Sequence, residues 1–552
     1  MSEWKSHAVV PRRKPTLGIN NFREMIERTE AERPEIPVYS YRDYTNNKQC
    51  EVMPKDLRMQ AEGLGTWLYE KGKHKKIIGI CGPNCYEWLL AFYGTHYAGS
   101  IILLLDRTVD EDILKDQIGR AGCKDLIYSA DVSEKVRSLA ADMGLEIYPF
   151  DSIADLAREG REMIEKGASA CLDSTIDGDD TAVIMFTSGT TGISKGVMLS
   201  SKNLLMNCEC IQDILDMKKK QVLLLPLNHV YGFWSQLEAL TTGTCLEICV
   251  NHRYMLDVIK AAKPELLVLV PLIIKNLYGA VRMEIRKRGD EEKVRQMIRE
   301  NNEKGNVSDE EKRKMFEPYL SVLGGRLEKM ISGGAPIDDQ LVNDFRDFGI
   351  HILVGYGITE CSPALSVNTV ELSKPGTVGM IFPGHEILIE NPDENGIGEI
   401  CAKGPGIMKG YYHMENETRE ALAGGWFHTG DLGRVDEDNY LTITGRIKNL
   451  IILSNGENIS AEELESKLSL CKAISEVVVY EKDDRIAAMI YPDKEYTSHE
   501  GIEDPEAYIK DFIYNYNLTA SSVRKIGFVF FRDTPFERTA STKKIKRNFE
   551  KM

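Results

Sequence analysis

Along most of this chain, stretches that are apolar at helical spacing alternate with short uninterrupted apolar runs, and few folds accommodate that alternation. Leu57, Ala61, Leu64 and Leu68 fall on one helical face, and residues 77–80 follow as a compact apolar run. Ile113, Leu114, Ile118 and Ala121 repeat the stripe before 126–128, and 255–262 repeats it before 266–270, with Pro264 closing the helix. Short runs without a polar side suit strands covered on both faces, so the pattern predicts parallel sheets with covering helices. Residues 88–105 form the most apolar window. Gly94, Thr95, His96, Gly99 and Ser100 interrupt it, which predicts a helix followed by a buried strand instead of a membrane span.

A chain of 552 residues exceeds what one hydrophobic core supports, so a large multi-lobed unit with at least one further domain is expected. The formal net charge of -16 argues against nucleic acid as a partner, since phosphate binding needs a Lys/Arg-rich face. Twelve cysteines are scattered without paired CxxC spacing, which fits reduced thiols and a cytoplasmic setting. The amino terminus has basic residues but no apolar segment of the signal-peptide kind, so export is not expected, while loose peripheral contact with a membrane surface stays compatible. Residues 282–319 are densely charged and read as exposed helices of an insertion. Further on, 386–390 and 398–403 flank the turn-rich NPDENG and predict an antiparallel hairpin. After residues 445–449, Ser460 and Glu463 form a capping-box pattern that opens a helix reading AEELESKL, the start of a small α/β unit.

The strongest chemical signal is Thr187-Ser188-Gly189-Thr190-Thr191-Gly192-Ile193-Ser194-Lys195-Gly196, directly after the apolar run 182–186. Glycines let backbone N–H groups approach an anion, hydroxyls add donors, and the lysine adds charge; together they suit a polyphosphate. A Ser/Gly linker would seldom sit so tightly against a buried strand. A Walker-type loop fails on spacing, because two residues, not four, separate Gly189 from Gly192 and Gly196 follows the lysine.

This stretch resembles the phosphate loop of the adenylate-forming superfamily of acyl-CoA synthetases, carrier-protein adenylation domains and luciferases, and further motifs match in order to residue 544. Gly333-Gly334-Ala335-Pro336 resembles the loop beside adenine, and Tyr356-Gly357-Ile358-Thr359-Glu360 resembles the segment that stacks adenine on the tyrosine, binds the α-phosphate through the threonine and turns the glutamate toward Mg²⁺. Trp426-Phe427-His428-Thr429-Gly430-Asp431 resembles the ribose motif, with Asp431 accepting from both hydroxyls. Gly445-Arg446-Ile447-Lys448 resembles the interdomain junction, with Arg446 reaching ribose and Lys448 in the hinge position that many relatives fill with Asp. Thr542-Lys543-Lys544 resembles the segment carrying the catalytic lysine. Relatives commonly have Gly where Lys543 stands, so Lys544 is assigned and Lys543 is its rival. Ser194 replaces a common proline, which implies a less rigid phosphate loop.

The resemblance implies an α/β fold: a large N-terminal AMP-binding domain, 1–447, with layered sheets and a β-rich lobe, and a small mobile lid, 448–552. It implies ATP, Mg²⁺ and CoA as cofactors or co-substrates. The acid attacks the α-phosphorus, Glu360 holds Mg²⁺, and Thr359, Lys195 and Lys544 meet negative charge. The lid then rotates to bring the loop of Gly456 to the thiol channel. Residues 225–234 resemble the acyl-pocket segment, with His229 near the reacting carboxylate and aromatic side chains along the tail; a core helix with a satisfied histidine fits those residues equally. The charged insertion and the SNGEN wording at 454–458 resemble long-chain fatty acyl-CoA synthetases. A carrier-protein phosphopantetheine in place of CoA, a luciferase-like oxygenase and a non-catalytic nucleotide-binding scaffold stay open at this point.

Overall fold

The computed structural model describes residues 18–44, 46–187, 194–453, 458–538 and 545, with backbone only at Ile452, Asn458 and Val523. Two open sheets dominate it. In one, the strands run Gly410–Tyr411, Lys195–Ser200, Thr181–Thr187, Ile101–Leu105, Ile77–Cys81, Asp125–Tyr128, Glu146–Pro149 from edge to edge. The last five are parallel, and the first two are antiparallel additions. The other sheet has nine strands, six of them parallel, from His351–Gly357 through Lys329–Ser332, Leu266–Leu269, Gln221–Leu223 and Leu246–Ile248 to Tyr39–Asp43.

Side-chain alternation along these strands builds the layers. Val268 and Leu266 point into the largest core, while Leu267 and Leu269 point outward into a second one. Ile78 and Ile102 face the largest core from the other sheet, and Leu103 and Leu126 face an outer core. Helices Pro54–Glu70, Tyr86–Tyr97, Ser201–Gln212 and Val230–Thr242 fill the space between the sheets. The helix Tyr86–Tyr97 is buried on every side, which explains why its sequence is apolar all round and looked span-like. Its junction with the strand Ile101–Leu105 falls at the interruption noted in the sequence.

The hairpin of Glu386–Glu390 with Gly398–Lys403 extends into a four-stranded antiparallel sheet with Phe427–Val435 and Leu441–Arg446. Beyond it, Ile474–Lys482, Arg485–Pro492 and Ile526–Phe531 form a three-stranded sheet with its own core under helices Ala461–Leu468 and Pro505–Thr519. The Ser460 hydroxyl accepts from Glu463 N at 3.2 Å, as the capping pattern requires. The charged segment departs in part from its expected exposure: Phe316, Tyr319 and Leu320 are buried in the outer core of the nine-stranded sheet. Three apolar residues at i, i+3 and i+4 suffice to dock one helical face, however charged the surroundings. Among the described residues no helix is long and apolar enough to cross a membrane, and no disulfide joins any of the twelve cysteines.

Candidate active site

Residues that lie far apart in sequence converge beyond the carboxyl ends of the parallel strands, the place where open α/β sheets expose backbone N–H groups and loops. The strand Thr181–Thr187 delivers Thr187, whose hydroxyl lies 3.4 Å from Lys195 O across the hairpin. Ser188, Gly189, Thr190, Thr191 and Gly192 lie outside the described residues. At the loop's far end, the Ser194 hydroxyl accepts from Arg120 Nη2 at 2.8 Å, and that guanidinium also covers the Phe186 ring at 4.9 Å. Serine in the proline position thus gains a tether to a neighbouring helix.

Two polar chains cross the cleft. Lys195 Nζ sits 4.6 Å from the centre of the Tyr411 ring, and the Tyr411 hydroxyl donates to Glu360 Oε1 at 3.0 Å. In parallel, the Tyr356 hydroxyl donates to Asp431 Oδ2 at 2.7 Å, and Arg446 Nε meets Asp431 Oδ1 at 2.7 Å. Asp431 and Arg446 face each other directly in the antiparallel ladder, so register alone brings this pair together. Burial raises the Glu360 carboxyl above its ordinary value, with the Asp431 charge adding to that and Tyr411 and Arg446 opposing it. A desolvated carboxylate offering hard oxygen fits a divalent cation of the Mg²⁺ kind, which would offset the cost of its charge.

Tyr356 and Glu360 are set by an unusual crossing. The chain turns after the strand His351–Gly357 into the short helical turn Thr359–Cys361 and returns as Ala364–Val367. A Cβ on Gly357 would lie 1.9 Å from Pro363 O, so only glycine lets the two backbones pass there. Gly334, Ala335 and Pro336 are exposed in the loop after Lys329–Ser332, and Gly334 has φ +81°. Beside them, the Tyr231 hydroxyl donates to Ile331 O at 3.1 Å, and its ring would press on a Cβ at Gly333 at 3.2 Å.

His229 stands just before the helix Val230–Thr242, and its Nε2 is 3.9 Å from Asp106 Oδ2, which places it at the end of the strand Ile101–Leu105. Two of the three aromatic neighbours follow the core-helix reading of this segment. Phe233 and Trp234 are buried in the central core, with Phe233 4.8 Å from Phe92 and 6.4 Å from Trp88, while Tyr231 alone of the three reaches the loop at Gly333. The helical period decides this: Phe233, at i+2 from Tyr231, turns toward Phe92 of the helix Tyr86–Tyr97, while Trp234, at i+3, stays beside Tyr231 with ring centres 6.3 Å apart.

Lys448 sits in the turn Ile447–Asn449, directly after Arg446, and Ser460 Oγ donates to Thr444 O at 2.5 Å across the junction. Gly456, Lys543 and Lys544 lie outside the described residues. The sequence reading missed Tyr411 and Asp106. Tyr411 belongs to the two-residue strand Gly410–Tyr411, too short to carry a period, and Asp106 is a lone carboxylate after an apolar run.

Comparison with known proteins follows the same lines. The AMP-binding enzyme family matches residues 26–412. The long-chain-fatty-acid–CoA ligase 1 of Cavia porcellus is 27% identical over 491 residues, covering 80% of this chain and 69% of its own length. The chloroplastic long-chain-fatty-acid–[acyl-carrier-protein] ligase AEE15 of Arabidopsis thaliana is 27% identical over 466 residues, 73% of this chain and 64% of its own. In three dimensions, the anthranilate CoA ligase AuaEII in complex with anthranoyl-AMP superposes with a TM-score of 0.77 at 18% identity, over 96% of both chains.

Proposed function

The chain belongs to the AMP-binding enzyme family, and on that footing we propose that it is an ATP-dependent acid:thiol ligase. It activates a medium- to long-chain fatty acid as the acyl-adenylate and passes the acyl group to CoA. The observation that carries the reading is the pair of polar chains, Lys195–Tyr411–Glu360 and Tyr356–Asp431–Arg446, converging at the strand ends. Each links residues that the sequence motifs assigned to one nucleotide.

A carboxylate resists thiol attack because it would have to expel oxide, whereas an acyl-AMP expels a phosphate monoester. In the first step a carboxylate oxygen attacks the α-phosphorus and pyrophosphate leaves. Asp431 accepts from ribose, with Arg446 holding the carboxylate in place, and Tyr356 presents its ring to adenine. Lys195, Thr359 and Lys544, with Lys543 as its rival, meet the negative charge that builds on the phosphates. Glu360 would hold Mg²⁺, which when bound neutralises phosphate oxygens. His229 stands where the reacting carboxylate enters, steadied by Asp106. In the second step the lid turns about Lys448, and the loop of Gly456 lines the path of the thiol.

The carrier-protein alternative is favoured by one comparison, the acyl-carrier-protein ligase among the relatives. The decisive experiment measures pyrophosphate release with ATP, Mg²⁺ and a ladder of fatty, aryl and amino acids, each with and without CoA. Release that needs both a fatty acid and CoA supports the ligase. Release with acid but indifferent to CoA moves the assignment to a carrier protein. No release with any acid removes the catalytic reading in favour of a nucleotide-binding scaffold.

A further inference from the structure

On the antiparallel sheet that carries Asp431, four side chains of metal-ligand type from three adjacent strands share one face. Glu399 and Cys401 are two residues apart on the strand Gly398–Lys403, hence on the same side of the pleat. Glu390 pairs directly with Glu399 in the ladder, and His428 pairs directly with Cys401. The ladder shifts register between Glu399 and Cys401. Two carboxylates directly opposite each other repel, and nothing in the apolar side of the sheet calls for them.

The three separations from His428 are those of a coordination shell. His428 Nδ1 lies 3.4 Å from Cys401 Sγ, 3.4 Å from Glu399 Oε2 and 3.7 Å from Glu390 Oε2, and one atom from each of the four falls within 4.8 Å of all the others. Metal–ligand bonds of about 2.0–2.3 Å set the edges of a tetrahedron at about 3.3–3.8 Å. The outer contacts orient the ligands. His428 Nε2 is 3.3 Å from Ala423 O, so Nε2–H donates to that carbonyl and Nδ1 is the ring nitrogen that faces the cluster. Glu399 accepts from Gly430 N through Oε1 at 2.9 Å, leaving Oε2 for the cluster. Cys401 is fully buried, whereas the Glu390 side chain is 39% exposed and opens a way in from solvent.

We propose that Glu390, Glu399, Cys401 and His428 bind a borderline-soft divalent cation, Zn²⁺ by ligand type, at a site separate from the Mg²⁺ of catalysis. Sulfur and imidazole select against Mg²⁺, and the mixed S, N, O, O set suits tetrahedral Zn²⁺. On uptake the Cys401 Sγ–H bond breaks, its proton leaves to solvent, and the thiolate forms the metal–sulfur bond. The ion would stitch three strands together three residues before Asp431, stiffening the sheet that positions the ribose-binding pair.

The test uses the full-length protein, stripped with chelator and desalted, then titrated with Zn²⁺ against a chromophoric competitor and, in parallel, with Co²⁺. One equivalent of Zn²⁺ should bind, excess Mg²⁺ should not displace it, and Co²⁺ should give a thiolate-to-metal charge-transfer band. Cys401→Val should abolish the band, and Glu390→Gln should weaken binding about tenfold or more. Circular dichroism of the metal-free variants reports their folding. If Cys401→Val does not fold, Glu390→Gln decides alone, since that side chain is partly exposed. No saturable uptake, or uptake and a band unchanged in the folded variants, overturns the site.

Discussion

Glu360 and Glu238 are both desolvated carboxylates, yet they call for opposite treatment. Glu360 faces the cleft, where a cation and phosphates can meet its charge. Its replacement by glutamine keeps the shape and removes the charge, so Glu360→Gln should lower adenylation about 10²–10³-fold while leaving the melting temperature unchanged or raised. Pyrophosphate release and a thermal melt on the same preparation separate the two effects; equal loss of both would make Glu360 structural. Glu238 is fully buried, and burial pushes its carboxyl up to about 8 against the Gln221 amide that donates at 2.9 Å. The folded state therefore keeps a proton that the unfolded chain releases near 4.5. This contribution to stability is fully present below about 4.5 and is lost as pH rises toward 8, with a slope of about 1.4 kcal/mol per pH unit inside that window. Denaturant titrations across the window should show this slope in the parent protein and its loss in Glu238→Gln.

Among the elements, the crossing at Gly357 bears most on the site. The strand that carries Tyr356 and the strand that returns after Pro363 touch through backbone, so a methyl group at 357 has nowhere to go. Gly357→Ala should destabilise the protein by about 1–3 kcal/mol and displace Tyr356 and Glu360 together. Nucleotide affinity, followed by calorimetry with ATP, should then fall more than the melting temperature; a normal affinity would show that the segment relaxes without moving its side chains. The charged helices teach a related lesson. Charge density made 282–319 look uniformly exposed, but the spacing of Phe316, Tyr319 and Leu320 gives one docked face.

For the molecule as a whole, the junction after Arg446 is where two half-reactions would be separated. Lys448 is exposed in a short turn, and the backbone on either side is tied by the antiparallel pairing of Asp431 with Arg446 and by Ser460 to Thr444. Lys448→Pro restricts rotation about that turn. Under the proposed mechanism, in which lid motion gates the second step, adenylate formation should persist and acyl-CoA formation should fall by about tenfold or more. Rapid-quench measurement of both products checks this, and undiminished thioester formation would count against a hinge at 448. In the same assays Lys544→Ala should lose the first half-reaction and Lys543→Ala should keep it; the reverse outcome hands the role to Lys543.

The α/β layering, the helix and buried strand within 88–105 and the hairpin of 386–403 were all readable in advance, because hydrophobic period and turn chemistry are local properties of the chain. Motif order likewise assigned Thr187, Lys195, Tyr356, Glu360, Asp431 and Arg446 to one proposed nucleotide site without any knowledge of where they lie in space. Contacts between distant segments were not readable. Tyr411 reaches Glu360 and Lys195 only because a two-residue strand adds to the edge of the seven-stranded sheet. Asp106 meets His229 because a parallel strand ends beneath a helix start, and the Glu390–Glu399–Cys401–His428 cluster exists only through cross-strand register. Local pattern determines which elements form and which face each buries; the pairing of elements, set by packing and register over hundreds of residues, determines which side chains meet.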